Sequence, residues 1–105
     1  MLSKHIVKPT THIERIICSA HIEDKLASKH RVALSEVRQV LLTQPRIRFA
    51  ETGHTPGEDV YAAFGQSYGG RYLVVFFVYK ADIDTAIVIS ARDMTQSERR
   101  RYARK

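Results

Sequence analysis

The ten residues Arg71–Lys80 read RYLVVFFVYK. Between the two terminal cations every residue is apolar or aromatic. That composition predicts a central strand buried on both faces of a sheet. The run is far short of the roughly 20 residues needed for a membrane span. Turn signals flank it: SYGG (67–70) before and ADID (81–84) after. Beyond the turns, VYAAFGQ (60–66) and TAIVISAR (85–92) also read as strands. RIRFAE (46–51) alternates charged and apolar residues, as a half-exposed strand does, and TGHTPGED (52–59) is a loop by its glycines and proline. Strands following one another across short turns predict a meander.

Upstream the periodicity is helical. Ser19 offers an N-cap to AHIEDKLASKH (20–30), where Ile22 and Leu26 share a face that Lys29 and His30 continue. ALSEVRQVLL (33–42) predicts a second helix with Leu34, Val37 and Val40 or Leu41 inward, and the ring of Pro45 cannot continue it. HIERIIC (12–18) is β-rich and predicts a first strand. Residues 1–11 are polar and predict a flexible N-terminal arm. Downstream, Thr95 and Glu98 form T-x-x-E, a capping box that opens a last helix. Helices and strands kept in separate runs place the chain in the α+β class. The expected architecture is two N-terminal helices on a four- to five-stranded, mainly antiparallel sheet with a C-terminal helix, one domain over 12–105.

The chain has 105 residues, enough for one core and little more. With 44% hydrophobic and 27% charged residues it is globular in composition and not disordered. A net charge of +6 points to partners that are nucleic acid, acidic protein or an anionic surface. Cys18 is the single cysteine, so no internal disulfide forms; it reads as a small buried hydrophobe in a reducing compartment. With no apolar span and no secretory pattern in MLSKHIVKPTTH, the expected location is cytoplasmic, with no membrane partner. His5, His12, His21, His30 and His54 lack ligand spacing with Cys or Asp, so neither metal nor cofactor is expected. Phosphate-loop and nucleophile-elbow motifs are missing too, which argues against a conventional small-molecule enzyme.

The charge is unevenly placed. From Arg92 onward six basic residues face two acidic ones. Arg100 and Arg104, four apart, share a solvent face of the last helix, and cations there also favour its dipole. Met94 and Tyr102 are expected to pack that helix on the sheet. Arg92 ends a strand where a helix begins, so a guanidinium fork and open backbone N–H groups can converge on an anion; the plainer role is an ion pair with Asp93 or Glu98. Lys29 and His30 close the first helix, either as dipole contacts or as a phosphate contact and a proton-transfer group. Glu58, Asp59, Tyr61, Arg71 and Tyr72 lie near strand ends, where turn solvation and cross-strand packing are the plain alternatives.

Three stretches together, KHRV (29–32), GRYLVVFFVYK (70–80) and ISARDMTQSERRRY (89–102), resemble the BrnT toxins of the RelE-like superfamily of small ribonucleases. The resemblance spans about Ile13 to Tyr102. It implies the toxin of a type II toxin–antitoxin pair, with a RelE-like fold, cleaving RNA without a metal or other cofactor and through the RNA's own 2′-OH. It also implies a cognate ribbon-helix-helix antitoxin, autorepression by the pair, and a homo-oligomer or a toxin–antitoxin heterotetramer. Under it Arg92 clamps the scissile phosphate, Arg71 and Lys29 assist, and His30 or Glu58 is the base. Arg99 and Tyr102 line the pocket or orient it, and the basic helix with Arg100 and Arg104 draws in RNA or holds an acidic segment of the antitoxin. Three departures stand out: Arg31 where the family has glycine after Lys-His, no tryptophan before the first helix, and Val60 and Tyr61 where many members carry an arginine. If that arginine is catalytic, reduced activity is expected. Two alternatives use the same composition: a basic RNA- or partner-binding module without catalysis, and a subunit stable only with its antitoxin, for which an exposed sheet edge would speak.

Overall fold

The chain builds outward from its central strand. A computed structural model describes residues 12–104, so the arm expected over 1–11 lies outside the described residues. Strand β1 is Arg15–Ile17, and helix α1 is Ala20–Lys25, running on as a π-helical turn over Leu26–His30. Helix α2 is Leu34–Leu42. Strands β2 (Arg46–Glu51), β3 (Val60–Gln66), β4 (Tyr72–Lys80) and β5 (Thr85–Asp93) follow, then helix α3 (Gln96–Ala103).

The sheet order is β1-β5-β4-β3-β2, which puts RYLVVFFVYK at the centre. Leu73, Val74, Val75 and Phe77 are fully buried. The pleat divides them. Leu73, Val75 and Phe77 join Leu26, Val32, Val37, Val40 and Leu41 beneath the first two helices. On the other face Val74 meets Ala62 and Met94, with Phe64, Tyr72, Phe76 and Tyr102 packed around them. α2 lies close against β3 because Gly65 has no side chain: a Cβ there would be 3.0 Å from Val40 Cγ1. Cys18 is half-buried at the edge of the main core, and burial raises its thiol pKa.

Two expectations are corrected. The first strand is three residues long instead of seven, and it pairs in parallel with β5, Ile16 beside Ala86. The sheet is therefore mixed, with antiparallel pairing from β2 through β5. A parallel neighbour leaves no turn signal between the partners, so the alternation of residues could not reveal it. The first helix also does not run α-helical to His30; it widens after Lys25. That widened turn ends on Arg31 in the left-handed conformation (φ 56°, ψ 38°), and the Val32 N–H closes it by donating to the Leu26 carbonyl. The backbone thus takes the cap that glycine normally provides, with an arginine in the strained position. Arg31→Gly is expected to stabilise the fold by about 1 kcal/mol, read as a higher urea midpoint.

Candidate functional site

The sequence pair Arg92-Asp93 ends β5, and the pleat sends its two side chains to opposite faces. Asp93, opposite Leu73, turns to the helix-covered side. There it accepts from Arg71 Nε at 2.8 Å and Nη2 at 3.3 Å. Arg71 also donates to the carbonyls of Arg31 (2.6 Å) and His30 (3.0 Å) and to Glu36 Oε1 (3.1 Å). One guanidinium has five N–H donors, and these bonds use them all. The Arg71 fork holds the Asp93 carboxyl below the usual carboxylate range. Arg71 therefore fastens the end of the π-helical turn and α2 to the sheet, and its donors are committed to protein. Lys29 and His30 stand beside it, exposed.

Arg92 lies on the α3 side, opposite Val74. Its Nη1 and Nη2 donate to Glu98 Oε1 at 2.8 Å and Oε2 at 3.1 Å, and Nη1 also to the Asp93 carbonyl at 3.1 Å. The guanidinium carbon sits 5.4 Å from the Phe76 ring centroid. The expected capping box is present: Glu98 Oε1 accepts from the Thr95 N–H at 2.8 Å while Thr95 Oγ1 accepts from the Glu98 N–H. One carboxylate thus caps α3 and holds Arg92. The Arg92 fork, with help from Thr95, lowers its pKa to about 2.

That shift has a pH consequence. A carboxyl depressed in the folded chain adds stability above its ordinary value of 4.5, and this is lost as pH falls towards 2. Because Arg92 is one-third exposed, the contribution is about 2 kcal/mol after solvent screening. Glu98→Gln keeps the cap and removes the titrating charge. Its unfolding midpoint is expected to fall less steeply than that of the native chain between about pH 5 and pH 2 in thermal melts.

Further cations gather on this face. Arg46 pairs with Phe64 and Arg48 with Ala62, so the R-x-R of β2 points both arginines to the α3 side. With Phe64, Glu98, Arg101 and Tyr102 they line a cavity of about 50 Å³. Arg46 lies over the Tyr102 ring at 6.0 Å, and Tyr102 meets Tyr72 edge to face at 6.0 Å. On the far flank of α3, Arg99 covers the Tyr72 ring at 4.3 Å, and Arg99 and Arg100 edge a shallow groove with Gln96. Arg104 is exposed at the helix end. Chemically, such a face combines guanidinium forks for phosphate, aromatic rings for bases and one ionised carboxylate.

The structure therefore gathers Arg92, Arg99 and Tyr102 on one face and places Arg71, Lys29 and His30 on the other side of the same sheet end. It does not bring Glu58 to either group. Glu58 accepts from Lys80 Nζ at 3.2 Å, at the opposite end of β4, roughly 30 Å from Arg71 for nine residue steps along the strand. Arg46, Arg48, Arg101 and Glu98 were not singled out from sequence as site residues. The R-x-R spacing was visible, but which face it meets depends on the register with β3. Among the described residues no group of three His, Cys, Asp or Glu side chains is placed to hold a metal ion.

The family described as "Ribonuclease toxin, BrnT, of type II toxin-antitoxin system" matches residues 20–98. The match takes in α1 through the capping carboxylate of α3, including Lys29, His30, Arg71, Arg92 and Glu98. No curated protein matches. Among solved structures, the Brucella abortus ribonuclease toxin BrnT is similar in fold, with a TM-score of 0.54 and 20% identity. That likeness covers 78% of this chain and 97% of that one. With its family match extending over most of its length, the chain belongs to the BrnT ribonuclease toxins of type II toxin–antitoxin systems.

Proposed function

We propose that the chain cleaves RNA without a metal, using the 2′-OH of the substrate as nucleophile, on the α3 face of the sheet. One observation carries this reading: Arg46, Arg48, Arg92, Arg101, Glu98 and Tyr102 converge there. A phosphate entering the cavity competes with Glu98 for the Arg92 fork. Once displaced, Glu98 loses the interaction that depresses its pKa and becomes a stronger base. It then accepts the 2′-OH proton as the 2′-oxygen attacks phosphorus. Arg92 and Arg48 neutralise the phosphorane oxygens. The 5′-oxygen leaves and takes a proton from water, Glu98 returns its proton to solvent, and the products are a 2′,3′-cyclic phosphate and a 5′-OH. Tyr102, Arg99, Arg100 and Arg104 hold the flanking nucleotides. Lys29 and His30 lie outside this arrangement, and Arg71 serves the fold.

The partner in this reading is a ribbon-helix-helix antitoxin, joined in a heterotetramer in the cytoplasm. None of the helices among the described residues is long and apolar enough to cross a membrane. End-labelled RNA incubated with the purified chain in EDTA tests the chemistry. Fragments ending in 2′,3′-cyclic phosphate are expected. A folded chain that retains RNA in a salt-dependent way but yields no fragments is a binding module instead. Glu58→Ala is expected to leave cleavage within about twofold of the native rate: its carboxylate is held by Lys80, four strand residues or about 13 Å along β4 from the level of Arg48, beyond hydrogen-bond reach of the cavity.

A further inference from the structure

β2 is the last strand of the sheet and has no neighbour on its outer side among the described residues. Protein sheets blunt such edges with short strands, charges or bulges, because open N–H and C=O groups pair with other chains. The opposite edge follows that rule, since β1 has three residues. β2 follows it only in part: it has six residues, with a register shift between Phe49 and Glu51. Its charges are all on one side over the regular stretch Arg46–Phe49. Arg46 and Arg48 point to the α3 face, while Ile47 and Phe49 point to the helix face. Phe49 is 54% exposed, meeting Tyr61 edge to face at 6.0 Å. α2 packs on β3 and β4; Ile47 is half-buried against the core beneath it, while Phe49 is left largely open.

We infer that the β2 edge receives an extended antitoxin segment in which acidic and apolar residues alternate. Charge selects that chemistry. An added strand lies about 4.8 Å away, with facing side chains about 5 Å apart. Its α3-side residues would then stand beside Arg46 and Arg48, where Asp or Glu is favoured and Lys or Arg is repelled. Its other side would cover Ile47 and Phe49 and remove their apolar surface from water. A second copy of this chain would instead bring two more arginines to the same edge. Because Arg46 and Arg48 also wall the cavity, carboxylates seated on them exclude phosphate. This last step rests on the nuclease reading; the edge pairing does not.

The test uses the isotope-labelled full chain and two synthetic eight-residue peptides, one alternating glutamate with valine and one alternating lysine with valine. With the glutamate peptide, the outward amides of Arg46–Phe49 are expected to exchange at least tenfold more slowly, and with the lysine peptide not at all. Arg46→Glu/Arg48→Glu, checked for an unchanged unfolding midpoint, is expected to reverse the preference. Equal binding of both peptides, protection mapped elsewhere, or none at millimolar peptide would overturn the inference. Protection that rises with protein concentration alone would also overturn it, by naming a second copy as the occupant. RNA cleavage is followed in the same samples and is expected to fall as the glutamate peptide saturates β2. Protection with undiminished cleavage overturns the exclusion step. Protection in a chain that never cleaves RNA upholds the docking edge and sinks the nuclease reading instead.

Discussion

Arg92→Ala is expected to lower the rate of RNA cleavage by about 100-fold or more while RNA affinity falls by less than about tenfold. The asymmetry follows from what the side chain does. Many cations on the α3 face attract the phosphate backbone, so losing one weakens binding only modestly. Charge on the phosphorane develops at one position, and removing a donor aimed there typically costs 10²–10³ in rate. On the α3 face, Arg92 is held in a fork on a carboxylate, Glu98, which presents the same planar pair of oxygens that a phosphate does. Lysine at 92 restores the charge without the fork and should recover only part of the rate. The measurement is a single-turnover rate at saturating enzyme, with a thermal melt alongside, because the variant also frees Glu98 from its partner. Cleavage that persists in a folded Arg92→Ala chain would remove this residue from the site and shift attention to Arg46 and Arg48.

Arg71→Ala is the second large effect, and it is one of stability. The guanidinium satisfies two backbone carbonyls at a left-handed turn and bridges Glu36 to Asp93, with the side chain half-buried. Hydrogen bonds involving a charged group contribute about 1.5–3 kcal/mol each, and they are not additive. The expected loss is roughly 2–4 kcal/mol, or about 10–20 °C in the melting midpoint of a domain this size. Lysine offers three donors from one point and cannot span the four partners, so Arg71→Lys should recover little. Assayed at a temperature where the variant is still folded, cleavage is expected to remain within about threefold of native. A hundredfold loss there would return Arg71 to the reaction itself.

Local chemistry wrote much of this fold plainly. The apolar run of β4, the SYGG and ADID turns and the Thr95–Glu98 box each act within a few residues, so their signals are complete in the sequence. The Ser19 N-cap is of the same kind, with Oγ accepting from the Ile22 N–H. What was hidden depends on residues far apart. β1 finds β5 with no turn between them. Arg71 looked like a phosphate ligand because its partners at residues 30, 31, 36 and 93 meet only in three dimensions. Arg46 and Arg48 looked like the solvent side of a half-exposed strand, which they are, but that side is also the wall of the cavity. Glu58 shared the description "strand end" with Arg71, and alternation alone does not say which end of the sheet is meant. Arg31, a departure from glycine, changed the residue and not the backbone conformation.

The parallel pairing at the sheet's edge bears on the order in which the molecule is made. Arg15 in β1 pairs with Thr85 in β5, a separation of 70 residues. Closing so long a loop costs chain entropy before any contact returns it, and such non-local pairing slows folding. Until β3 to β5 are available, Val37, Val40 and Leu41 of α2 have no sheet to cover. During synthesis the growing chain therefore carries an apolar helix without its partner, a period of aggregation risk. Arg92, Glu98, Arg101 and Tyr102 come later still in the order of translation. Under the proposed nuclease reading, a nascent chain thus has no cavity for RNA until its last strand and α3 have been made, and the ribosome building it is not exposed to that activity during elongation of the earlier elements.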